Sequence, residues 1–192
     1  MGLDKRIGEK FLHAGPGFGG SCFPKDVKAF SATAKKHDVE FSIINAVNAS
    51  NRARPIKIAS RIKSRFNNKM EGTSIGILGL SFKPNTDDIR DSTSIIIANE
   101  LKQSGGHIKC FDPQAMTNAK EIYPDFYYCN SAYDVCKGSS TLVIATEWNE
   151  FRALDLNKIK KLMKDPVIFD LRNIYNEIEV KDMGIEYHGV GK

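Results

Sequence analysis

From residue 73 onward, short apolar runs alternate with segments of helical period, and this alternation is what most limits the folds open to the chain. "TSIGILGL", "HIKCFDP", "STLVIAT" and "PVIFDLR" read as strands; "DSTSIIIANELKQSGG", closed by glycines, and "LDLNKIKKLMK" read as helices. Strands this apolar are buried on both faces, and a strand, helix, strand order joins parallel neighbours. The prediction is an α/β fold with a doubly wound parallel sheet. A ligand on such a sheet belongs at the carboxyl ends of its strands.

Ahead of the sheet lie two helical stretches. "PKDVKAFSATAKKHD" repeats apolar Val27, Phe30 and Ala34 at helical spacing after Pro24. "FSIINAVNASNRARPIKIASRIKSRFNNK" reads as one long helix, with apolar Ile44, Val47, Ile58 and Ile62 among polar and basic residues. Pro55 lacks an amide hydrogen, so a kink or division is expected near Arg54. Such a helix serves equally well as a dimer contact or as a linker packed on its own domain. The polar stretch ending at Gly72 predicts two units, 1–72 and 73–192.

With 41% hydrophobic residues in 192, the chain can bury a real core without staples. The formal charge of +5 suits phosphate-bearing ligands or plain solubility. No basic stripe interleaved with aromatics supports nucleic-acid binding. No apolar run spans a bilayer, and the charged "MGLDKRIGEK" is no signal peptide, so a cytoplasmic location and no membrane contact are expected. Cys22, Cys110, Cys129 and Cys136 lack both metal spacing and disulfide density, and His13, His37, His107 and His188 share no ligand spacing. We expect reduced thiols and no metal.

Chemistry concentrates in "GPGFGGSCFPKD". Gly15, Gly17, Gly19 and Gly20 permit close backbone approach and let amide hydrogens face an anion. Pro24 suits a first helical turn, which puts Cys22 near the N-cap, where the helix dipole favours a thiolate. Lys25 adds positive charge, and Asp26 can face the same side as Cys22 and activate water. Residue types alone leave a reactive Cys22 and a buried structural one in balance.

The whole string, preceded by "DKRIGEKFLHA", resembles the catalytic-cysteine segment of the UDP-glucose 6-dehydrogenases among the nucleotide-sugar dehydrogenases. The likeness runs on through "GILGLSFKPNTDDIRDS", "FDPQAM", "ATEWNEF" and "FDLRNIY", and covers essentially the whole chain. It implies a long central helix followed by a Rossmann-like UDP-binding domain, and NAD-dependent oxidation of a sugar C6 alcohol in two hydride transfers.

By the same resemblance Cys22 is the nucleophile, forming a thiohemiacetal and then a thioester, and Asp26 assists water. Phe11, Leu12, His13, Ala14 and Gly15 line the UDP-sugar, with Gly19 and Lys83 as further contacts. Lys25 and Arg90 lie on the cofactor side, and Arg6 reaches the neighbouring subunit's substrate. Taken singly, Arg6, Lys83 and Arg90 read equally well as surface charges. Asp112 sits where dinucleotide folds bind a ribose, yet "GILGLSF" is not a full dinucleotide fingerprint, so this domain is expected to take the nucleotide sugar and not NAD.

The family's N-terminal NAD-binding Rossmann domain has no counterpart here. The chain is therefore expected to correspond to the C-terminal half, inactive alone, with apolar surface along residues 40–66 that favours a homodimer, and completed by a separate N-terminal chain. UDP-glucose is the preferred substrate, because Ser21 stands where the N-acetylhexosamine branch tends to carry histidine. The alternatives are a GDP-mannose 6-dehydrogenase fragment and a non-catalytic nucleotide-sugar binding or dimerisation module.

Overall fold

The structure is a computed structural model that describes residues 1–9 and 12–191. Six strands form one parallel sheet in the order β3-β2-β1-β4-β5-β6. They are β1 (Ser74–Leu78), β2 (His107–Phe111), β3 (Tyr127–Tyr128), β4 (Thr141–Ile144), β5 (Val167–Asp170) and β6 (Glu186–Gly189). The four apolar runs became β1, β2, β4 and β5. β4 and β5 are buried at every position, as continuous apolar strands require.

The two outer strands carried no comparable signal. β3 has only two residues, and β6, "EYHG", buries alternate positions only. Chain order reverses between β1 and β4, whose ends lie in register at Leu78 and Ile144. That switch point is where a parallel sheet of this kind presents a ligand.

The first helix, α1 (Phe23–Lys36), carries Pro24 in its first turn, as expected. Phe30 does not enter a core: it is 64% exposed and packs edge-on against Phe41 at 5.1 Å. α2 (Ser42–Arg65) corrects the expectation of a divided helix, because it runs unbroken through Pro55. Proline removes one intrahelical hydrogen bond, but Pro55, Ala59 and Ile62 form a single buried face, and that burial holds the turns on either side.

Ala59 and Ile62 share a core with Ile75, Ile77, Val143 and Phe169 on one face of the sheet. The helix α3 (Thr93–Gln103) adds Ile95, Ile97 and Leu101 to it. The other face packs Leu78, Leu142, Ile144 and Ile168 against Phe151, Ile159 and Val180, which belong to short helices after β4 and β5. Among the described residues no helix is long and apolar enough to cross a membrane.

One buried carboxylate organises the carboxyl end of the sheet. Asp112, 1% exposed, follows β2. Its Oδ2 accepts from the Leu80 amide (2.7 Å), the Ser81 amide (3.1 Å) and hydroxyl (3.0 Å), and Trp148 Nε1 (3.3 Å). Oδ1 accepts from the Gln114 (2.9 Å) and Ala115 (2.8 Å) amides. Every partner is a donor, so only an acceptor-only group satisfies them all.

Asp112→Asn turns an NH2 group toward at least two of these donors. It should lower the unfolding free energy by about 2–4 kcal/mol in urea denaturation; a loss below about 0.5 kcal/mol would contradict this role.

Candidate functional site

The glycine loop, residues 15–22, lies against the segment that follows β1. The Gly20 amide donates to Arg90 O at 2.8 Å, and a Cβ on Gly19 would stand 2.3 Å from Asp91 O. Only a residue without a side chain allows that approach. Lys28 of α1 meets Asp91 at 3.4 Å. The loop and the stretch "SFKPNTDDIRDS" thus form one wall at the sheet's carboxyl end.

Cys22 is the N-cap residue of α1 and is exposed. Its thiol does not cap the helix, since it bonds no first-turn amide; Sγ lies 3.6 Å from the Ser21 hydroxyl. Arg90 is held by Asp88 through Nε (2.9 Å) and Nη2 (2.8 Å). That pairing holds the Arg90 pKa above its ordinary value, and Cys22 lies near enough to add to the same effect. The Asp88-paired guanidinium thus lies within electrostatic reach of Cys22. Lys25 and Asp26 are both exposed and pair with each other at 3.6 Å, and the Asp26 amide donates to Cys22 O at 2.9 Å.

The other three cysteines differ in kind. All are free and buried; burial pushes the Cys110 and Cys136 thiols up to about 12 and raises that of Cys129.

The remaining expected residues divide. Lys83 is exposed, with its ammonium 5.3 Å from the Phe82 ring centroid, and Phe82 itself packs on the glycine loop. Gly15 and Gly19 lie in the wall; Ala14 is half-buried, and His13 and Leu12 are exposed beside it in the chain. Phe11 lies outside the described residues. Arg6 is not drawn to the loop: its exposed side chain closes on Asp4 at 3.1 and 2.7 Å.

Two residues went unnoticed in the sequence. Arg172, just past β5, sends Nε to Ala145 O (2.9 Å) and Nη2 to Phe82 O (3.4 Å), while a Cβ on Gly15 would lie 2.7 Å from Nη1. Glu147 Oε2 lies 3.0 Å from Nε without an aligned hydrogen bond, because that N–H faces Ala145. Burial lowers the Arg172 pKa and Glu147 opposes the shift. The signal was its position directly after a strand's carboxyl end. Asn51, the second, lies within α2 and bonds both backbone polar groups of Phe18.

Asp112 is not available to a ribose, since six internal donors occupy it. Near Cys22 the exposed cations include Lys25, paired with Asp26, and Arg90, paired with Asp88. Among the described residues no three His, Cys, Asp or Glu side chains gather as metal ligands would.

Residues 76–177 match the UDP-glucose/GDP-mannose dehydrogenase family, UDP binding domain, and residues 1–53 match its central domain. The chain belongs to this family. It is 43% identical over 192 residues to the UDP-glucose 6-dehydrogenase of Rhizobium meliloti, and 44% identical over 193 to that of Rickettsia bellii. Each match takes in the whole chain but 44% of the relative. Among solved structures it resembles a UDP-glucose dehydrogenase from Pyrobaculum islandicum, with a TM-score of 0.85 and 34% identity, over 98% of this chain and 41% of that one. The UDP-binding-domain match thus takes in most of β1 and all of β2 to β5, and the central-domain match takes in the cysteine loop, α1 and the start of α2.

Cys22 is exposed and the other thiols are buried. Iodoacetamide should alkylate the native chain at one site, with peptide mass spectrometry placing the label on Cys22; labelling of Cys110 or Cys136 at a comparable rate would contradict the assigned burial.

Proposed function

We propose that this chain supplies the nucleotide-sugar half of an NAD-dependent UDP-glucose 6-dehydrogenase, with Cys22 as its nucleophile. The observation that carries the reading is the placement of an exposed thiol at a helix N-terminus, beside the Asp88-anchored Arg90 and on a glycine loop packed at the carboxyl end of the sheet. UDP-glucose lies along the wall, with residues 12–15, Gly19 and Lys83 in contact. Arg6 of one copy reaches the substrate of another in a homodimer joined through α2. Ile43, 77% exposed, and Val47, 38% exposed, supply apolar surface for that contact. A nucleotide-sugar substrate places the work in the cytoplasm.

NAD, when bound, would supply the hydride acceptor for both oxidations at C6. At the aldehyde level Cys22 Sγ adds to C6, forming a C–S bond as the carbonyl oxygen becomes a hydroxyl of a thiohemiacetal. Departure of the second hydride from C6, with loss of the hydroxyl proton, leaves a thioester. Water oriented by Asp26 then attacks C6, the C–S bond breaks toward Cys22, and the uronate is released. Lys25 and Arg90 hold positive charge on the cofactor side of the thiol.

Hydride transfer depends on placing donor and acceptor together, and the one acidic side chain positioned as a ribose ligand, Asp112, is taken up by internal donors, so the chain alone should not turn over. Mixed with the N-terminal part of the Rhizobium meliloti relative, it should reduce NAD in the presence of UDP-glucose, and Cys22→Ser should remove at least about a thousandfold of that rate. Robust NADH production by the chain alone, or full activity of Cys22→Ser, would overturn the proposal. Failure of the mixture, with UDP-glucose still bound, would favour a binding and dimerisation module; turnover of GDP-mannose alone would favour the other branch of the family.

A further inference from the structure

The glycine loop has little backbone structure of its own. Between residues 14 and 21, its backbone partner among the described residues is Arg90 O, which receives the Gly20 amide. Behind the loop is a cavity of about 100 Å3, lined in part by Phe18, Asn48, Asn51, Thr93 and Ile96. Close packing therefore does not fix the loop on that side. Two side chains of α2 do. Asn51 Oδ1 accepts from the Phe18 amide at 2.9 Å, and Asn51 Nδ2 donates to Phe18 O at 2.9 Å. One turn further along the helix, Arg54 Nε donates to Gly15 O at 2.8 Å.

We propose that Asn51 is the positioning residue of the cysteine loop: its carboxamide satisfies both backbone polar groups of Phe18 and so sets where the chain enters Cys22. This rests on the reading of Cys22 as the nucleophile. The chemistry selects asparagine, because a short side chain must both donate and accept. Aspartate lacks the donor, serine cannot span both groups, and glutamine is a methylene longer.

The loop is built around this clamp. A Cβ on Gly17 would stand 2.7 Å from Asn51 Oδ1, and Gly17 has φ +127°, so a side chain is excluded there on two counts. Phe18 transmits the position onward through an edge contact with Phe23, ring centroids 4.6 Å apart, and Phe23 follows Cys22 directly. Helix α2, whose later turns lie in the sheet's core, thereby places the thiol relative to the sheet.

The test uses the 192-residue chain and needs no turnover. In hydrogen exchange, Asn51→Ala should speed exchange at Phe18 and its loop neighbours at least about tenfold, leaving β1 and β4 unchanged, and should raise the Cys22 alkylation rate at least about threefold. Asn51→Asp, which keeps the acceptor, should preserve more protection at the Phe18 amide than Asn51→Ala does. Gly17→Ala approaches the clamp from the loop side and should reproduce the alanine phenotype, and the double variant should add little to either single change. Unchanged loop exchange in folded Asn51→Ala, protection of the Phe18 amide in Asn51→Asp no better than in Asn51→Ala, an unchanged alkylation rate in Asn51→Ala, or full additivity with Gly17→Ala would each overturn the proposal. A Cys22→Ser mixture that keeps its activity would instead remove the nucleophile assignment and leave the exchange result standing.

Discussion

The buried carboxylate of Asp112 is the interaction on which the site's architecture depends. It ties the segments that follow three different strands: Leu80 and Ser81 after β1, Gln114 and Ala115 after β2, and Trp148 after β4. Around it the Ser92 and Ser94 hydroxyls close on Leu80 O at 2.7 and 3.0 Å, and Thr146 Oγ1 donates to Ser81 O at 2.8 Å. A buried polar network of this kind rigidifies because every member is satisfied. The segment it fixes carries Phe82, Lys83 and Arg90, the wall against which the cysteine loop rests.

The second support is α2, which acts at two levels. Its later turns bury Ala59 and Ile62 in the sheet's core, and Arg65 binds Glu186 of β6 through two bonds of 2.6 and 2.7 Å. That pairing, helped by His188, holds the Glu186 pKa down at about 2. Its middle turns reach the loop through Asn51 and Arg54. The first turns expose Ile43 and Val47. One helix thus connects the sheet, the loop and an exposed apolar surface.

The interior of the sheet was legible in the sequence: β1, β4 and β5 bury nearly every position, and β2, expected to be buried on both faces, still carries an apolar run although it buries only alternate positions. β3 escaped because it has only two residues, and β6 because an edge strand need bury only alternate positions. Pro55 does not divide α2, because tertiary burial outweighs the one hydrogen bond that proline removes. Cys22 stood out through its glycines, and Lys83 and Arg90 through the motif around them. Arg172 and Asn51 did not stand out, because each acts across a long separation in the chain, 157 residues from Arg172 to Gly15 and 33 from Asn51 to Phe18, and no local pattern records that. Asp112 was noticed for the wrong reason: the position that suggests a ribose ligand instead holds the local backbone together.

The central claim is that the loop and the sheet's carboxyl end, as folded in this chain, form a nucleotide-sugar site. Calorimetric titration of the purified chain with UDP-glucose, with GDP-mannose as the control, tests it most directly. The account predicts saturable binding of UDP-glucose at one site per chain, with little heat from GDP-mannose. Absence of saturable heat from both, in a chain shown to be folded, would contradict it.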